Sequence, residues 1–153
     1  MPSAMSDARA FPKELCRGVC RALAHLGFAT LAEVALANGR RADVMALGRN
    51  GELVIVEIKS SVADFKSDRK WPEYRDFCDR LYFAVPAGFP TELIPEDCGL
   101  ILADPFGAAI MREASSAPLV AARRRAVLLR FALIAAGRLR RASDPDIDDP
   151  EFA

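Results

Sequence analysis

Two acids and a lysine stand out in the stretch RRADVMALGRNGELVIVEIKSS, residues 40–61. Asp43 lies in one apolar run, and Glu57 and Lys59 lie two residues apart at the end of the next. A carboxylate inside so apolar a run is costly unless it has a partner. Two carboxylates side by side repel unless a cation sits between them. A hard divalent ion such as Mg²⁺, or Mn²⁺ in its place, suits such a pair. It takes one or two carboxylates, can add a backbone carbonyl such as that of Ile58, and keeps water or phosphate in its other positions. Held there, it polarises a phosphodiester and lowers the pKa of its bound water. Lys59 would position that water or neutralise charge building on the phosphate. The residues leave a plainer arrangement open, in which Lys59 bridges Glu57 and Asp43 pairs with Arg40 or Arg41 at a strand end.

Whether the acids meet depends on how the chain turns back. Side chains alternate along a strand, so Leu53, Ile55, Glu57 and Lys59 share one face, while Val54, Val56 and Ile58 share the other. Both faces are apolar, as in a central strand covered on both sides. On the partner strand Asp43, Met45 and Leu47 share a face. A three-residue loop, Arg49-Asn50-Gly51, opposes Gly48 to Glu52 and Asp43 to Glu57. It also puts glycine at the left-handed last position that such loops require. A two-residue Asn50-Gly51 turn would send Asp43 to the other face unless a bulge intervened. The glycine favours the three-residue loop.

The surrounding elements come from pattern. Leu15, Val19, Leu23 and Leu26 are spaced for one face of a helix over residues 13–26, closed by Gly27. Residues 28–36, carrying Glu33, read as a strand, followed by strands at 41–47 and 52–60. Ser61 and Asp64 resemble a capping box that opens a helix to Lys70. Pro72 then breaks or restarts it before PEYRDFCD. Residues 81–85 form a buried strand, and 99–103 and 108–112 form a pair joined by turn residues 104–107. A long helix over 121–139 has Val127, Leu128, Phe131 and Ile134 on one side. The order specifies one α/β domain with a mixed sheet over residues 11–141. It is flanked by a flexible N-terminus (1–10) and an acidic, disordered tail (142–153).

The chain has 153 residues, with 21 basic and 21 acidic side chains. Balanced charge excludes bulk attraction to a polyanion, so nucleic-acid binding needs a local basic face. No apolar run suits a signal peptide, anchor or membrane helix, which makes a cytoplasmic protein the expectation. The four cysteines form no CxxC pair and read as reduced thiols. Cys16 and Cys20 stand one helical turn apart, a spacing that suits a metal. No further Cys or His completes such a site, and they read as small core residues. His25 sits at a helix end without an obvious partner.

GRRADVMAL and VIVEIKSSVADFKSDRKWPEYRDFCDRLYFAV, with GLILAD and ARRRAVLLRFA further on, carry a resemblance. The short pattern Asp43…Glu57-x-Lys59 resembles the PD-(D/E)xK nuclease superfamily. The longer run, from Phe11 to Leu139, resembles the MmcB family of bacterial DNA-repair-related proteins. The resemblance implies a restriction-endonuclease-like αβββαβ core with an extra C-terminal hairpin and helix. It also implies Mg²⁺-dependent handling of DNA in repair of crosslinking damage, alongside other repair proteins. Carried over, Asp43 and Glu57 would be metal ligands, Lys59 the catalytic lysine, and Glu33 the acid often found upstream. Ala42 replaces the proline of the motif's name, at a position that shapes backbone and does no chemistry. The expected activity is metal-dependent hydrolysis of DNA phosphodiesters at crosslinked or branched DNA. The alternative is a non-cleaving module that binds DNA or a repair partner. Oligomeric state stays open, a homodimer included.

Candidate DNA contacts lie on both sides of the motif. Lys66 and Lys70, one turn apart on a helix, share a face near Trp71 and Tyr74, whose rings could stack on unpaired bases. Asp64 and Asp68 offset those lysines, whereas Arg40 and Arg41 stand beside Asp43. Arg123, Arg124 and Arg125 form a second patch or merely begin an amphipathic helix.

Overall fold

The structure, a computed structural model, describes residues 7–148, with side chains from Pro12 onward. Its elements in order are α1 (Asp7–His25), β1 (Ala29–Ala35), β2 (Arg41–Leu47), β3 (Leu53–Ile58), α2 (Val62–Ser67), a 3₁₀ helix (Trp71–Phe77), β4 (Arg80–Val85), a 3₁₀ turn (Thr91–Leu93), β5 (Gly99–Ala103), β6 (Ala108–Arg112) and α3 (Ala121–Ser143). One six-stranded sheet runs in chain order, β1 to β6. β1, β2 and β3 form an antiparallel meander, β3–β4 and β4–β5 are parallel, and β5–β6 is an antiparallel hairpin. Mixed α/β architecture is therefore what the sequence pattern specified.

β3 is buried along its whole length. Its β-branched residues fit a strand covered on both faces. On one face Val54 and Val56 meet Leu15, Val19 and Leu23 of α1. On the other, Leu53 and Ile55 meet Val127, Phe131 and Ile134 of α3, with Tyr74 and Phe77 of the 3₁₀ helix. α1 lies close on the β5–β6 turn because of Gly18. A Cβ there would stand 1.8 Å from the Asp104 carbonyl oxygen.

Several boundaries differ from expectation. α1 starts at Asp7, running through Pro12 into the segment read as a flexible N-terminus; residues 1–6 of that segment lie outside the described residues. Leu26, placed in the apolar stripe, is exposed, because the helix has already ended before Gly27 (φ +90°). α2 stops at Ser67, and the chain resumes as a 3₁₀ helix at Trp71. Asp68 is the cause: its Oδ1 accepts the N–H groups of Lys70 and Trp71 and draws the chain out of the helix. Lys66 and Lys70 consequently share no helical face. α3 runs on to Ser143, and Asp144 begins a turn (Ile147 N–H to Asp144 O, 3.2 Å) in the segment read as a disordered tail. Residues 149–153 of that tail lie outside the described residues. No described helix is long and apolar enough to cross a membrane.

Much of the arginine content of α3 serves the fold. Arg130 donates to Ala35 O, and Arg138 donates to Ala32 O and Glu33 O. These guanidiniums cap carbonyls on the edge strand β1, which would otherwise be open to another strand. Arg124 pairs with the buried Asp79, and Arg123 lies over the Phe77 ring, 4.9 Å from its centroid. Of the three arginines read as a second patch or as the start of an amphipathic helix, Arg125 alone is left without such a contact among the described residues.

Candidate functional site

The turn between β2 and β3 sets the site. Gly48 N–H donates to Glu52 O (2.8 Å), Gly51 N–H donates to Gly48 O (3.0 Å), and Gly51 takes φ +85°. This is the three-residue loop. It opposes Leu47 to Leu53 and Val44 to Val56, and one step further it opposes Asp43 to Glu57.

At that step the ordinary ladder ends and the acids replace it. The Asp43 N–H donates to Glu57 Oε1 at 3.0 Å, and the Ile58 N–H donates to Asp43 Oδ2 at 2.8 Å. Each strand thus holds the other's carboxyl by one oxygen. The second oxygen of each accepts no backbone hydrogen bond among the described residues.

Asp43 does not share a face with Met45 and Leu47 as simple alternation predicts. Ala42 and Met45 pack on the same side, the side of α3, although three residues apart. Leu31 and Val34 do likewise on β1. Both strands therefore change face between these positions, at Asp43 and at Glu33, which stand opposite each other between the pairs Ala32–Val44 and Val34–Ala42. Glu33 is the one non-glycine residue with positive φ among the described residues (+52°). That conformation costs on the order of 1 kcal/mol. The Arg138 guanidinium on its carbonyl helps hold it.

The shift opens a recess of about 440 Å³ at the rim of the sheet. Glu33, Asp43, Glu57, Ile58 and Lys59 line its floor, and Lys13 and Cys16 of α1 line its wall. Asp64 lines it too, and the α2 cap places it there. Ser61 Oγ accepts the Asp64 N–H (3.1 Å), and Asp64 Oδ2 accepts the Ser60 N–H (3.3 Å). In the sequence Asp64 registered as a capping residue and as an acid offsetting Lys66 and Lys70, not as part of the site. Lys13 and Cys16 were missed because nothing local shows which face of α1 borders the acids.

Electrostatics in the recess are dominated by burial. Glu57 is 4 % exposed, and burial first and the Asp43 carboxylate second push its carboxyl up to about 9. Asp43 is also raised, by burial, against the opposing pull of the Ile58 N–H and of Lys59. The acids therefore hold a proton between them near neutral pH.

Lys59, 6 % exposed, does not bridge Glu57. Its ammonium donates to Asp68 Oδ2 at 2.7 Å, while its backbone N–H donates to Ala84 O. Burial raises the Asp68 carboxyl, but the Lys59 ammonium and the Lys70 and Trp71 N–H groups outweigh it and hold it below its ordinary value. Nor does Asp43 pair with an arginine. Arg40 binds Glu73 at 2.7 Å, and Arg41 makes no ion pair among the described residues. The plain strand-end ion-pair arrangement is not what forms.

The aromatic candidates turn inward. Tyr74 is buried, and its hydroxyl donates to Arg41 O (2.9 Å), pinning the strand that carries Asp43. Trp71 is half-buried, edge-on to Phe83 at 5.3 Å, with Arg75 over its ring. The Tyr74 ring is closed into the core, and the Trp71 ring carries Arg75. Among the described residues, the basic groups that border the recess without an acidic partner are Lys13 and Arg41, both exposed.

The two carboxyls suit a hard divalent cation. Two carboxyls already within hydrogen-bonding reach each offer one oxygen free of the backbone, and Mg²⁺ asks for no more from a protein. Among the described residues no three Asp, Glu, His or Cys side chains gather as a metal site. Glu33 therefore borders the pair without completing a three-acid cluster.

Comparison with known proteins bears on the whole chain. A family model described as DNA repair protein MmcB-like matches residues 2–146. A solved structure of a protein of unknown function from Silicibacter pomeroyi superposes with a TM-score of 0.86 at 43 % identity, covering 93 % of this chain and 97 % of that one. A search of the curated proteins returned no match.

Proposed function

The chain belongs to the family of MmcB-like DNA repair proteins, and from that premise we propose that it is a metal-dependent nuclease that hydrolyses DNA phosphodiesters. The observation that carries this reading is the reciprocal anchoring of Asp43 and Glu57, which leaves one oxygen of each free of the backbone beside the recess. A buried acid and a half-buried one, brought together at the expense of raised pKa values, point to a working site rather than to a stable core. A bound Mg²⁺ or Mn²⁺ would supply a Lewis acid and a water of lowered pKa.

The chain's own residues do the rest. Asp43 and Glu57 would hold the cation in their deprotonated form, with the Ile58 carbonyl as a third donor. Lys13 and Arg41 take backbone phosphates beside the recess, in place of Lys66 and Lys70. Lys59 Nζ is held on Asp68. An incoming phosphate oxygen competes for that ammonium and draws its charge toward the reacting group. Crosslinked or branched DNA is the substrate class that fits a repair family.

A second reading rests on that same Lys59–Asp68 pair. If the ammonium stays on Asp68 when DNA binds, the fold binds DNA or a repair partner without cutting it.

The test is cleavage of linear, nicked, branched and crosslinked DNA by the purified chain, with and without Mg²⁺ or Mn²⁺. Metal-dependent cutting that Lys59→Ala and Asp43→Asn each reduce at least about 100-fold supports the enzyme. Salt-sensitive DNA binding without cutting, unchanged by metal, selects the second reading.

A further inference from the structure

We propose that Cys16 and Cys20 form a modification site, an oxidisable dithiol in α1 beside the acidic recess that hydrogen peroxide converts to an intrahelical disulfide. Read from sequence as small core residues, both pack against the core on the α1 side, yet they are only half-buried, and Cys16 lines the recess. The other two cysteines, Cys78 and Cys98, are buried in the opposite layer.

Residues four apart on a helix have Cα atoms about 6 Å apart, inside the range a disulfide spans. Their Cβ atoms, about 5–6 Å apart, must close to about 4 Å. The bond forms with local tightening of the helix and is therefore readily reduced.

Chemistry favours Cys20 as the attacking sulfur. A hydrogen bond from the Cys16 thiol lowers its pKa to about 6, against the effect of burial, and the Thr30 hydroxyl adds to the lowering. The same hydrogen bond, with burial and the nearby Asp43 and Glu33, raises Cys16, which keeps its proton. Burial pushes Cys78 up to about 12 and Cys98 to about 11, so they serve as internal controls.

In the first step the Cys20 thiolate attacks one peroxide oxygen. The O–O bond breaks, and hydroxide leaves and takes a solvent proton, giving a Cys20 sulfenic acid and water. In the second, the Cys16 sulfur attacks the Cys20 sulfur and the S–O bond breaks. The hydroxyl leaves with the Cys16 proton as a second water. Two thiols are oxidised by two electrons and one peroxide is reduced to two waters.

Tightening at Cys16 moves the turn that carries Lys13. Any effect on DNA cleavage rests on the nuclease reading, whereas disulfide formation does not.

The experiment treats the full chain with hydrogen peroxide and digests it with trypsin without reduction. Cleavage after Lys13, Arg17 and Arg21 gives Glu14-Leu-Cys-Arg17 and Gly18-Val-Cys-Arg21. The expected product is these two joined, two hydrogen masses below their sum and separated again by dithiothreitol. Iodoacetamide at neutral pH should label Cys20 at least about tenfold faster than Cys78 or Cys98. Cys16→Ser should leave a sulfenic acid on Cys20 that dimedone traps. No joined peptide, or labelling of Cys20 no faster than of the two buried cysteines, overturns the proposal whatever the nuclease assays show.

Discussion

Asp43 and Glu57 hold each other's strands: the Asp43 N–H donates to Glu57 Oε1, and Asp43 Oδ2 reaches past Glu57 to the Ile58 N–H. Carboxyl oxygens occupy places that backbone carbonyls fill elsewhere in the β2–β3 ladder. The strands remain joined, and the two acids are forced into one another's field where water is scarce. The raised pKa of Glu57, about 9, is the result of that placement.

Metal binding should therefore release protons and strengthen with pH. Titrating the chain with Mn²⁺ calorimetrically from about pH 6 to about pH 9 should show tighter binding at each step, as expected when a cation displaces a shared proton. Glu57→Gln removes one ligand and should abolish both the binding and its pH slope. Affinity independent of pH would place the ion elsewhere.

The same shift predicts the pH dependence of stability without metal. The folded state binds a proton at Glu57 that the unfolded chain gives up near its ordinary value of 4.5, so stability falls as pH rises from there toward about 9. Guanidinium melts should lose on the order of 1–3 kcal/mol across that window from this group. Glu57→Gln, neutral throughout, should flatten the slope. Saturating Mn²⁺ should restore the wild-type protein at the alkaline end.

Lys13 and Arg41 border the recess with no acid among the described residues to satisfy them, unlike Arg40 on Glu73 or Lys59 on Asp68. Each phosphate contact contributes a slope of about −0.9 to log affinity against log salt on duplex DNA. Lys13→Ala and Arg41→Ala should each weaken DNA binding several-fold and reduce that slope by about one. Lys66→Ala, carrying a candidate from the sequence that lies outside the recess, should change neither. Anisotropy measured from low to moderate salt separates the cases.

Local pattern made most of this legible. Gly51 announced the loop that aligns Asp43 with Glu57, and the β-branched run of β3 announced a strand covered on both faces. The rest depended on contacts far apart in the chain. Nothing near Glu33 reveals that Arg138, about a hundred residues on, takes its carbonyl while it sits at positive φ. Strict alternation therefore put Asp43 on the wrong face. The capping signal at Ser61 was real, but Asp68 ended the helix one turn early by taking two N–H groups, separating Lys66 from Lys70. Trp71 and Tyr74 resembled stacking residues only because a sequence does not say which aromatics close a core.

Asp79 drew no notice in the sequence, yet it ties three parts of the fold. One oxygen accepts the Leu53 N–H (2.8 Å) at the start of β3 and the other accepts the Leu119 N–H (2.8 Å) ahead of α3. The Arg124 guanidinium spans both. The carboxylate is buried and α3 is set by it, so α3's grip on β1, and with it the position of Glu33, depends on a residue remote from the recess. Asp79→Ala strands two N–H groups and a guanidinium, and should cost about 3–5 kcal/mol. For a chain of this size the melting temperature should drop by roughly 10 °C. Arg124→Leu added to Asp79→Ala should lose less than the sum of the single changes, because the second removes the charge the first left unpaired. Additive losses would mean that Asp79 and Arg124 act separately, and that the N–H groups of Leu53 and Leu119 carry the cost.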